Sequence, residues 1–148
     1  MKLKRLPFKE FMRIYHKVPR AAVDVIVVSK KGFLLTKRAI PPFKGMWHIP
    51  GGTILFKESI NHAVDRIAKE ELGIQIRILK HLGVIEYFDD EGRHTISNGY
   101  LVKKRSGKLK GSEQGEEIRF FNKIPRNFIP EQKRFVSKHL ELIKHCLL

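Results

Sequence analysis

Cysteine, long apolar runs and acidic side chains are all scarce in this chain. One cysteine, Cys146, among 148 residues excludes an internal disulfide, which agrees with a reducing compartment. No apolar run approaches the roughly 18 residues of a membrane-spanning helix, and the N-terminal stretch carries charge where a signal peptide needs an apolar centre. We therefore expect a cytoplasmic protein with no membrane partner.

The shortage of acidic residues leaves a strongly basic chain. Asp and Glu number 15 against 30 Lys and Arg, which gives a formal net charge of +15. A positive field attracts polyanions and steers phosphorylated small molecules toward the protein. The same charge suits an RNA-binding protein, so composition alone does not choose between a small nucleotide and nucleic acid as partner.

The chain has enough material for one compact domain. With 42% hydrophobic residues, it can build one real core, and we predict a single domain over residues 1–148. Helically spaced apolar side chains predict a short N-terminal helix over residues 8–17 and a C-terminal helix over residues 130–143.

Strand-like segments lie between these helices. The predicted strands cover residues 20–29, 33–38, 75–87, 95–104 and 118–121. Asp24 is the one acid in the first of these apolar runs, so a buried Asp24 would require a partner. The order of helices and strands predicts a mixed sheet held between helices, an α/β/α sandwich.

The central stretch runs from Trp47 to Ile74 and joins a glycine loop to an acidic helix. Apolar residues recur at three- and four-residue steps over residues 58–72, which predicts a helix with one buried stripe. Glu58 or Ser59 can satisfy its first turn, and Gly73 is suited to a left-handed C-terminal cap. Arg66 and Glu70 are one turn apart and can pair.

Two adjacent carboxylates on this helix predict a metal site. Glu70 and Glu71 lie near the glycine backbone, and two unpaired carboxylates at such a distance raise each other's pKa. A hard divalent cation removes that conflict by taking oxygen ligands, so Mg²⁺ or Mn²⁺ is the expected cofactor.

Seven residues of this stretch match a known motif: Gly52, Glu58, Arg66, Glu70, Glu71, Gly73 and Ile74. In this pattern the chain resembles the Nudix box of MutT-like hydrolases, here residues 52–74. Six of these seven positions, fixed to one residue type each, would coincide by chance on the order of once in ten million starts. The resemblance implies an α/β/α sandwich over essentially the whole chain and a metal-dependent hydrolase. A homodimer is compatible with it.

One position departs from the box. The family's arginine is normally followed by a glutamate, whereas Arg66 is followed by Ile67. The usual cluster of three carboxylates is thereby reduced to Glu70 and Glu71, and fewer anionic ligands favour a single essential cation.

Further short motifs resemble the GDP-mannose mannosyl hydrolase branch of the family. They are Asp24 in VDVIV, Lys37 with Arg38, Trp47 with Pro50 to Gly52, Ile67, and Glu113 with Gln114. The resemblance implies that the Gly51 carbonyl, Glu71 and Gln114 hold one cation. It also implies that Asp24 and Arg38 contact the substrate or its leaving group.

Two positions depart from this branch, which has an arginine where Thr53 stands and a general-base histidine where Gly115 stands. Glycine cannot remove a proton from water, so Glu70, Glu116 or Glu117 would have to activate it. Arg38 can also grip a phosphate through two hydrogen bonds, and Tyr87 is a candidate to stack on a base or sugar ring.

These observations predict a Mg²⁺-dependent hydrolase that acts on a nucleoside diphosphate linked to another moiety, with a nucleotide sugar as the best single substrate. The predicted catalytic residues are Glu70, Glu71 and Arg38; Asp24, Arg38 and Tyr87 would bind substrate; Gly51, Glu70, Glu71 and Gln114 would bind the metal. Two alternatives stay open. One is a nucleoside triphosphate or dinucleotide pyrophosphohydrolase, and the other is a catalytically silent fold that binds nucleotide or RNA.

Overall fold

The computed structural model describes residues 2–39, 41, 43–111 and 117–146. Its helices and strands follow in chain order: α1 (Phe8–Tyr15), β1 (Arg20–Ser29), β2 (Gly32–Lys37), β3 (Trp47–His48), β4 (Gly51–Thr53), α2 (Ile60–Leu72), β5 (Ile74–Asp90), β6 (Arg93–Gly107), β7 (Glu117–Phe121), α3 (Pro130–Lys138) and α4 (Leu140–His145). None of the described helices combines the length and apolar character that crossing a bilayer would require.

The described strands form one mixed sheet. Its order is β3-β2-β1-β6-β5, with β4 paired to β1 and β7 paired to β2. The β1–β6 pairing is parallel, and the other pairings are antiparallel. The predicted mixed sheet between helices, the α/β/α sandwich, is confirmed.

The central strand β1 is buried on both faces, as its unbroken apolar run predicts. Val23, Val25 and Val27 pack into the core beneath α2. Ile26 and Val28 pack into the second core, which contains residues of α3 and α4. Because successive side chains of a strand point to opposite faces, one strand supplies both cores.

One edge of β1 pairs with β2 along part of its length and with β4 along another part. This arrangement positions the site. The C-terminal end of β1 pairs with β2, through Val28 opposite Phe33. Its N-terminal half pairs with β4, through Asp24 opposite Gly51. The glycine loop is therefore aligned beside the one acid of β1.

Both terminal helices differ from their predicted lengths. The helix predicted over residues 8–17 ends at Tyr15, and Lys17 N–H bonds the Ile14 carbonyl in a tighter turn. The helix predicted over residues 130–143 is divided into α3 and α4 at His139, whose φ is −105° and ψ is 10°. The His139 ring contacts the Phe135 carbonyl at 2.9 Å, so a side chain competes there with the regular helical bond.

The long hairpin extends beyond both predicted strands. β5 and β6 reach Asp90 and Gly107, whereas the predicted strands end at residues 87 and 104. Several register shifts interrupt the pairing, including one between Tyr87 and Asp90. Such bulges bend a hairpin and redirect its side chains.

Candidate active site

Local capping fixes the helix that carries the acidic pair. The Ser59 hydroxyl accepts a hydrogen bond from His62 N–H at 3.1 Å, and Gly73 ends α2 in the left-handed conformation with φ 71°. The helix predicted over residues 58–72 thus begins at Ile60, with Ser59 rather than Glu58 as its cap, and ends at the predicted Gly73. Between them, Val64, Ile67 and Leu72 are buried against the sheet.

Glu58 is a buried structural carboxylate immediately before this helix. Its oxygens accept hydrogen bonds from Arg66 at 2.8 and 3.0 Å, from Leu55 N–H at 3.0 Å, and from His62 at 2.6 Å. Burial alone would raise the pKa of Glu58, but the bonds from Arg66, the Leu55 N–H and His62 lower it to about 2. Arg66 also donates to the Thr53 carbonyl at 2.8 Å, which ties the loop to α2.

Gly51 and Gly52 lie where there is no space for a side chain. A methyl group on Gly51 would collide with Asp24 Oδ1 and the Val23 carbonyl, and one on Gly52 would collide with Ile67 Cδ1. On one side of Gly51 the Pro50 carbonyl accepts a hydrogen bond from Val25 N–H of β1, and on the other side Ile54 N–H donates to the Ala21 carbonyl of β1. Because antiparallel pairs alternate between bonded and non-bonded positions, the Gly51 carbonyl is directed away from β1.

The box carboxylates have different surroundings. Glu70 accepts a hydrogen bond from Arg66 at 3.1 Å, which confirms the predicted pairing, and a second bond from Arg5. Glu71 is half-buried and lies where two cavities adjoin. Ile67 is buried against Gly52, so this position extends the core where the usual box supplies a carboxylate.

Asp24 is almost fully buried and lies at the end of a chain of hydrogen bonds whose donors are neutral side chains. The Tyr87 hydroxyl donates to Asp24 Oδ2 at 2.9 Å, and the Gln132 amide donates to the Tyr87 oxygen at 3.0 Å. Burial raises the pKa of Asp24 to about 6, although contacts with Ser97 and Tyr87 partly offset it. Burial and the nearby Asp24 carboxyl raise the pKa of Tyr87 well above 10, so its hydroxyl keeps its proton.

Arg20 is a further charged residue at the site that sequence reasoning missed. Its guanidinium donates to Thr53 at 2.6 Å, Thr95 at 3.1 Å and Asp90 at 2.9 Å. It thereby joins β1 to β4 and to the hairpin of β5 and β6. Its position at the start of a buried strand is the only sequence signal that could have found it.

Two cavities meet at the glycine loop. The smaller, of about 370 Å³, is lined by Asp24, Arg38, Tyr87 and Gln132 among others. The larger, of about 860 Å³, lies between α2, the loop before it and the N-terminal segment of residues 2–15. Arg20, Gly51, Gly52 and Glu71 line both cavities.

The structure thus brings most of the predicted site residues together. Gly51, Glu71, Asp24, Arg38 and Tyr87 line the smaller cavity, and Glu70 lines only the larger one. The predicted ligand Gln114 and the candidate base Glu116 lie outside the described residues. The other candidate base, Glu117, pairs with Arg119 at 3.0 Å on β7.

The donor atoms suit a hard divalent cation. Within residues 2–39, 41, 43–111 and 117–146, no three His, Cys, Asp or Glu side chains form a metal-binding group. The Gly51 carbonyl and the Glu71 carboxylate nevertheless supply oxygen donors at the cavity junction, and the collision predicted for a methyl group on Gly51 shows how tightly that backbone is confined. Oxygen donors fit Mg²⁺ or Mn²⁺ better than a soft metal.

Two known proteins are similar to this chain in sequence. The chain is 29% identical over 140 residues to the low-salt glycan biosynthesis protein Agl8 of Haloferax volcanii, with 90% of each protein covered. It is 33% identical over 134 residues to an ADP-ribose pyrophosphatase of Methanocaldococcus jannaschii, with 88% of this chain and 78% of that protein covered.

A solved structure with a similar fold is the MutT Nudix hydrolase of Burkholderia pseudomallei. The TM-score is 0.73 at 27% identity, over 82% of this chain and 98% of that one. Residues 18–146 match the NUDIX domain model. Enzymes of this family generally use divalent metal ions. The chain therefore belongs to the Nudix family and is a Nudix hydrolase.

Proposed function

We propose that this protein is a cytoplasmic, Mg²⁺- or Mn²⁺-dependent enzyme that splits the diphosphate of a nucleotide sugar. The observation that carries the proposal is the junction of two cavities at Gly51, Gly52 and Glu71. A substrate with two different halves joined by a diphosphate fits two unlike cavities that share a wall of Arg20, Gly51, Gly52 and Glu71. Water adds to one phosphorus, and the products are a nucleoside monophosphate and a sugar phosphate.

The lining of the smaller cavity suits a group rich in hydroxyls. Carboxylates, guanidinium groups and an amide surround it, including Asp24, Asp90, Arg93 and Gln132. Carboxylate oxygens accept hydrogen bonds from sugar hydroxyls, and guanidinium groups donate to their oxygens. The larger cavity has a more apolar lining, with Phe11 and Tyr15 on one wall, and suits the flatter nucleoside half.

The cation would be held by the Gly51 carbonyl and Glu71, with Gln114 as a third ligand and Glu70 beside them. A bound Mg²⁺ or Mn²⁺ would supply positive charge that stabilises the charge developing on the phosphate oxygens. Ile67 supplies no carboxylate at the third box position, and Glu70 is shared with two guanidinium groups. A single essential cation is therefore our expectation.

Arg38 and Asp24 act on the substrate rather than on the metal. Arg38 lies just after β2 and lines the smaller cavity, where its guanidinium can bind a phosphate through two hydrogen bonds. Asp24 binds a hydroxyl of the sugar half, and Tyr87 holds Asp24 in place. Both Arg38 and Glu71 also have contacts within the protein.

The names of the relatives support this substrate class. One relative is named an ADP-ribose pyrophosphatase, and ADP-ribose is a nucleoside diphosphate linked to a sugar. The other is named for glycan biosynthesis. A homodimer is a separate proposal that rests on family likeness, and analytical ultracentrifugation of the full chain would test it.

A hydrolysis screen in oxygen-18 water tests the proposal. We expect Mg²⁺-dependent release of a nucleoside monophosphate from at least one nucleotide sugar, with the label in a phosphate product. Label in the free sugar would mean attack at the anomeric carbon instead. Preference for a nucleoside triphosphate or dinucleoside polyphosphate would contradict the substrate class.

A salt series of RNA filter binding provides the complementary test. A protein that binds RNA through many phosphate contacts loses affinity steeply with salt, whereas a small-nucleotide enzyme changes far less. Tight, steeply salt-dependent RNA binding together with no hydrolysis would overturn the proposed function.

A further inference from the structure

Gln132 is a buried polar residue at the start of α3 that no motif singles out. It is 5% exposed and lies 45 residues away from the tyrosine that it contacts. Its side-chain oxygen accepts the Ile49 N–H at 2.7 Å, and its nitrogen contacts the Tyr87 hydroxyl at 3.0 Å. One side chain therefore links the strand entering the glycine loop to the site hydroxyl.

The Ile49 N–H fixes which way the Gln132 amide faces. A backbone N–H can only donate, so the amide must present its oxygen to Ile49. The amide nitrogen then faces Tyr87, and because that nitrogen can only donate, the Tyr87 oxygen must accept. The direction of this hydrogen bond follows from the atom types alone.

The direction of the bond from Gln132 to Tyr87 also determines the direction of the bond between Tyr87 and Asp24. Since the Tyr87 oxygen accepts from Gln132, its hydroxyl proton is available for the contact with Asp24 Oδ2 at 2.9 Å. Asp24 Oδ2 is therefore committed as an acceptor. Its other oxygen, Oδ1, lies against Gly51, where an added methyl group would collide with it.

We propose that Gln132 is a positioning residue that orients the Tyr87 hydroxyl onto Asp24 Oδ2 and thereby assigns Asp24 Oδ1 to the substrate. Oδ1 lies outside this chain of bonds and beside the glycine loop, where the two cavities adjoin. An ionised Asp24 then accepts a substrate hydroxyl at a fixed oxygen. The inference rests on the proposed function for the identity of that hydroxyl, but the hydrogen-bond order does not.

The burial of Asp24 and Gln132 restricts the movement of this arrangement. Asp24 and Gln132 are 6% and 5% exposed, and the two contacts to Ile49 and Tyr87 are provided by one amide. Ile49 precedes Pro50 and Gly51, so Gln132 also holds the loop that carries the predicted carbonyl ligand. Because the acceptor is already held in place, less conformational entropy is lost when substrate binds.

A double-mutant cycle between Gln132→Met and Tyr87→Phe tests the proposal. Methionine has nearly the same length as glutamine and keeps the packing while removing both hydrogen bonds. The matched control is Lys133→Met, on the exposed neighbour of Gln132 in α3. Turnover is measured at pH 8, with whichever substrate the hydrolysis screen identifies, beside the melting temperature of each variant.

We expect each single variant to lower kcat about tenfold, and the double variant to be no slower than either single variant. Lys133→Met should leave kcat within about twofold of the parent. Effects on kcat that multiply in the double variant would overturn the proposal. So would an unchanged kcat accompanied only by a lower melting temperature.

Carbon-13 NMR of the Tyr87 ring gives a readout that needs no substrate. We expect the resonance of the hydroxyl-bearing carbon to shift in Gln132→Met, because its oxygen loses a donor. An unchanged resonance would contradict the direction of the hydrogen bonds even if the variant were slow.

The two proposals can fail separately. If the screen finds no nucleotide sugar but the resonance shifts, the proposed function fails while the role of Gln132 in orienting Tyr87 stands. If Gln132→Met does not fold, Gln132→Glu serves in its place, since its carboxylate forces the Tyr87 hydroxyl to donate to residue 132.

Discussion

Two buried carboxylates on the two sides of the glycine loop differ in their surroundings. Glu58 accepts hydrogen bonds from Arg66, and its pKa falls to about 2. Asp24 receives its bond from the neutral Tyr87 hydroxyl, and its pKa rises to about 6. Both side chains are removed from water, so the hydrogen-bonded guanidinium accounts for much of the difference.

This difference indicates a structural role for Glu58 and a functional role for Asp24. A buried carboxylate with a full complement of charged and neutral donors has no capacity for another partner, and Glu58 accordingly holds the loop to α2. Among the described residues, Asp24 has no hydrogen bond from a guanidinium group; its contacts are with the Tyr87 and Ser97 hydroxyls, and it lines a cavity. Incomplete neutralisation at a cavity wall is the feature that marks Asp24 as a candidate for function.

Removing the cation beside Glu58 should produce the largest loss of stability. In Arg66→Ala the Glu58 carboxylate would remain buried without its guanidinium, and such breakage costs about 3–5 kcal/mol. Urea unfolding measures this loss. Arg13→Ala, which removes an exposed arginine on α1, is the control and should cost less than about 0.5 kcal/mol. A loss of less than about 1 kcal/mol in the free energy of unfolding of Arg66→Ala would contradict a structural role for Glu58.

The two carboxylates should respond to pH in opposite directions. The pKa of Glu58 is lower in the folded protein, so its contribution is present above pH 4.5 and is lost as the pH falls toward 2. The pKa of Asp24 is higher in the folded protein, so its ionisation costs stability as the pH rises from 3.8 to about 6.

Asp24→Asn tests that sign directly. The variant should gain stability relative to the parent as the pH rises, by about 3 kcal/mol at pH 8 and by little at pH 4. Unfolding by urea at the two pH values gives the comparison. The same variant should lose turnover, because Asn presents an amide group at one of the two carboxylate positions. A variant less stable than the parent at pH 8 would contradict our account of Asp24.

The pair between Arg5 and Glu70 should have the smallest effect on stability. Both side chains are substantially exposed, so Arg5→Ala should change the free energy of unfolding by less than about 1 kcal/mol. The N-terminal segment also walls the larger cavity, so we expect KM for the nucleotide sugar to rise a few-fold with little change in kcat. Lys9→Ala, on α1, is the control. A lower kcat at unchanged KM would contradict this assignment.

Short-range chemistry made much of the box predictable from sequence. The Ser59 cap, the left-handed Gly73 and the Arg66–Glu70 pair all depend on residues within one or two turns of each other. The long apolar run of β1 likewise predicted a strand buried on both faces. Spacing alone carries this information because helix and strand periods are fixed.

The partners of Asp24 could not be predicted in the same way. Tyr87 lies 63 residues from Asp24 along the chain, and Gln132 lies 45 residues from Tyr87. Their meeting depends on the parallel pairing of β1 with β6, on register shifts in β5, and on where α3 begins. The sequence required a partner for a buried Asp24, but tertiary structure determines which residue that partner is.

Glu71→Gln tests the metal-dependent catalyst most directly. Turnover of the nucleotide sugar and Mn²⁺ binding by electron paramagnetic resonance are measured together, with Glu141→Gln on α4 as the control. We predict at least about a hundredfold loss of turnover and weaker Mn²⁺ binding, because a carboxylate ligand is lost while the side chain keeps its size. The melting temperature should change little. Undiminished turnover and Mn²⁺ affinity in Glu71→Gln would contradict the account.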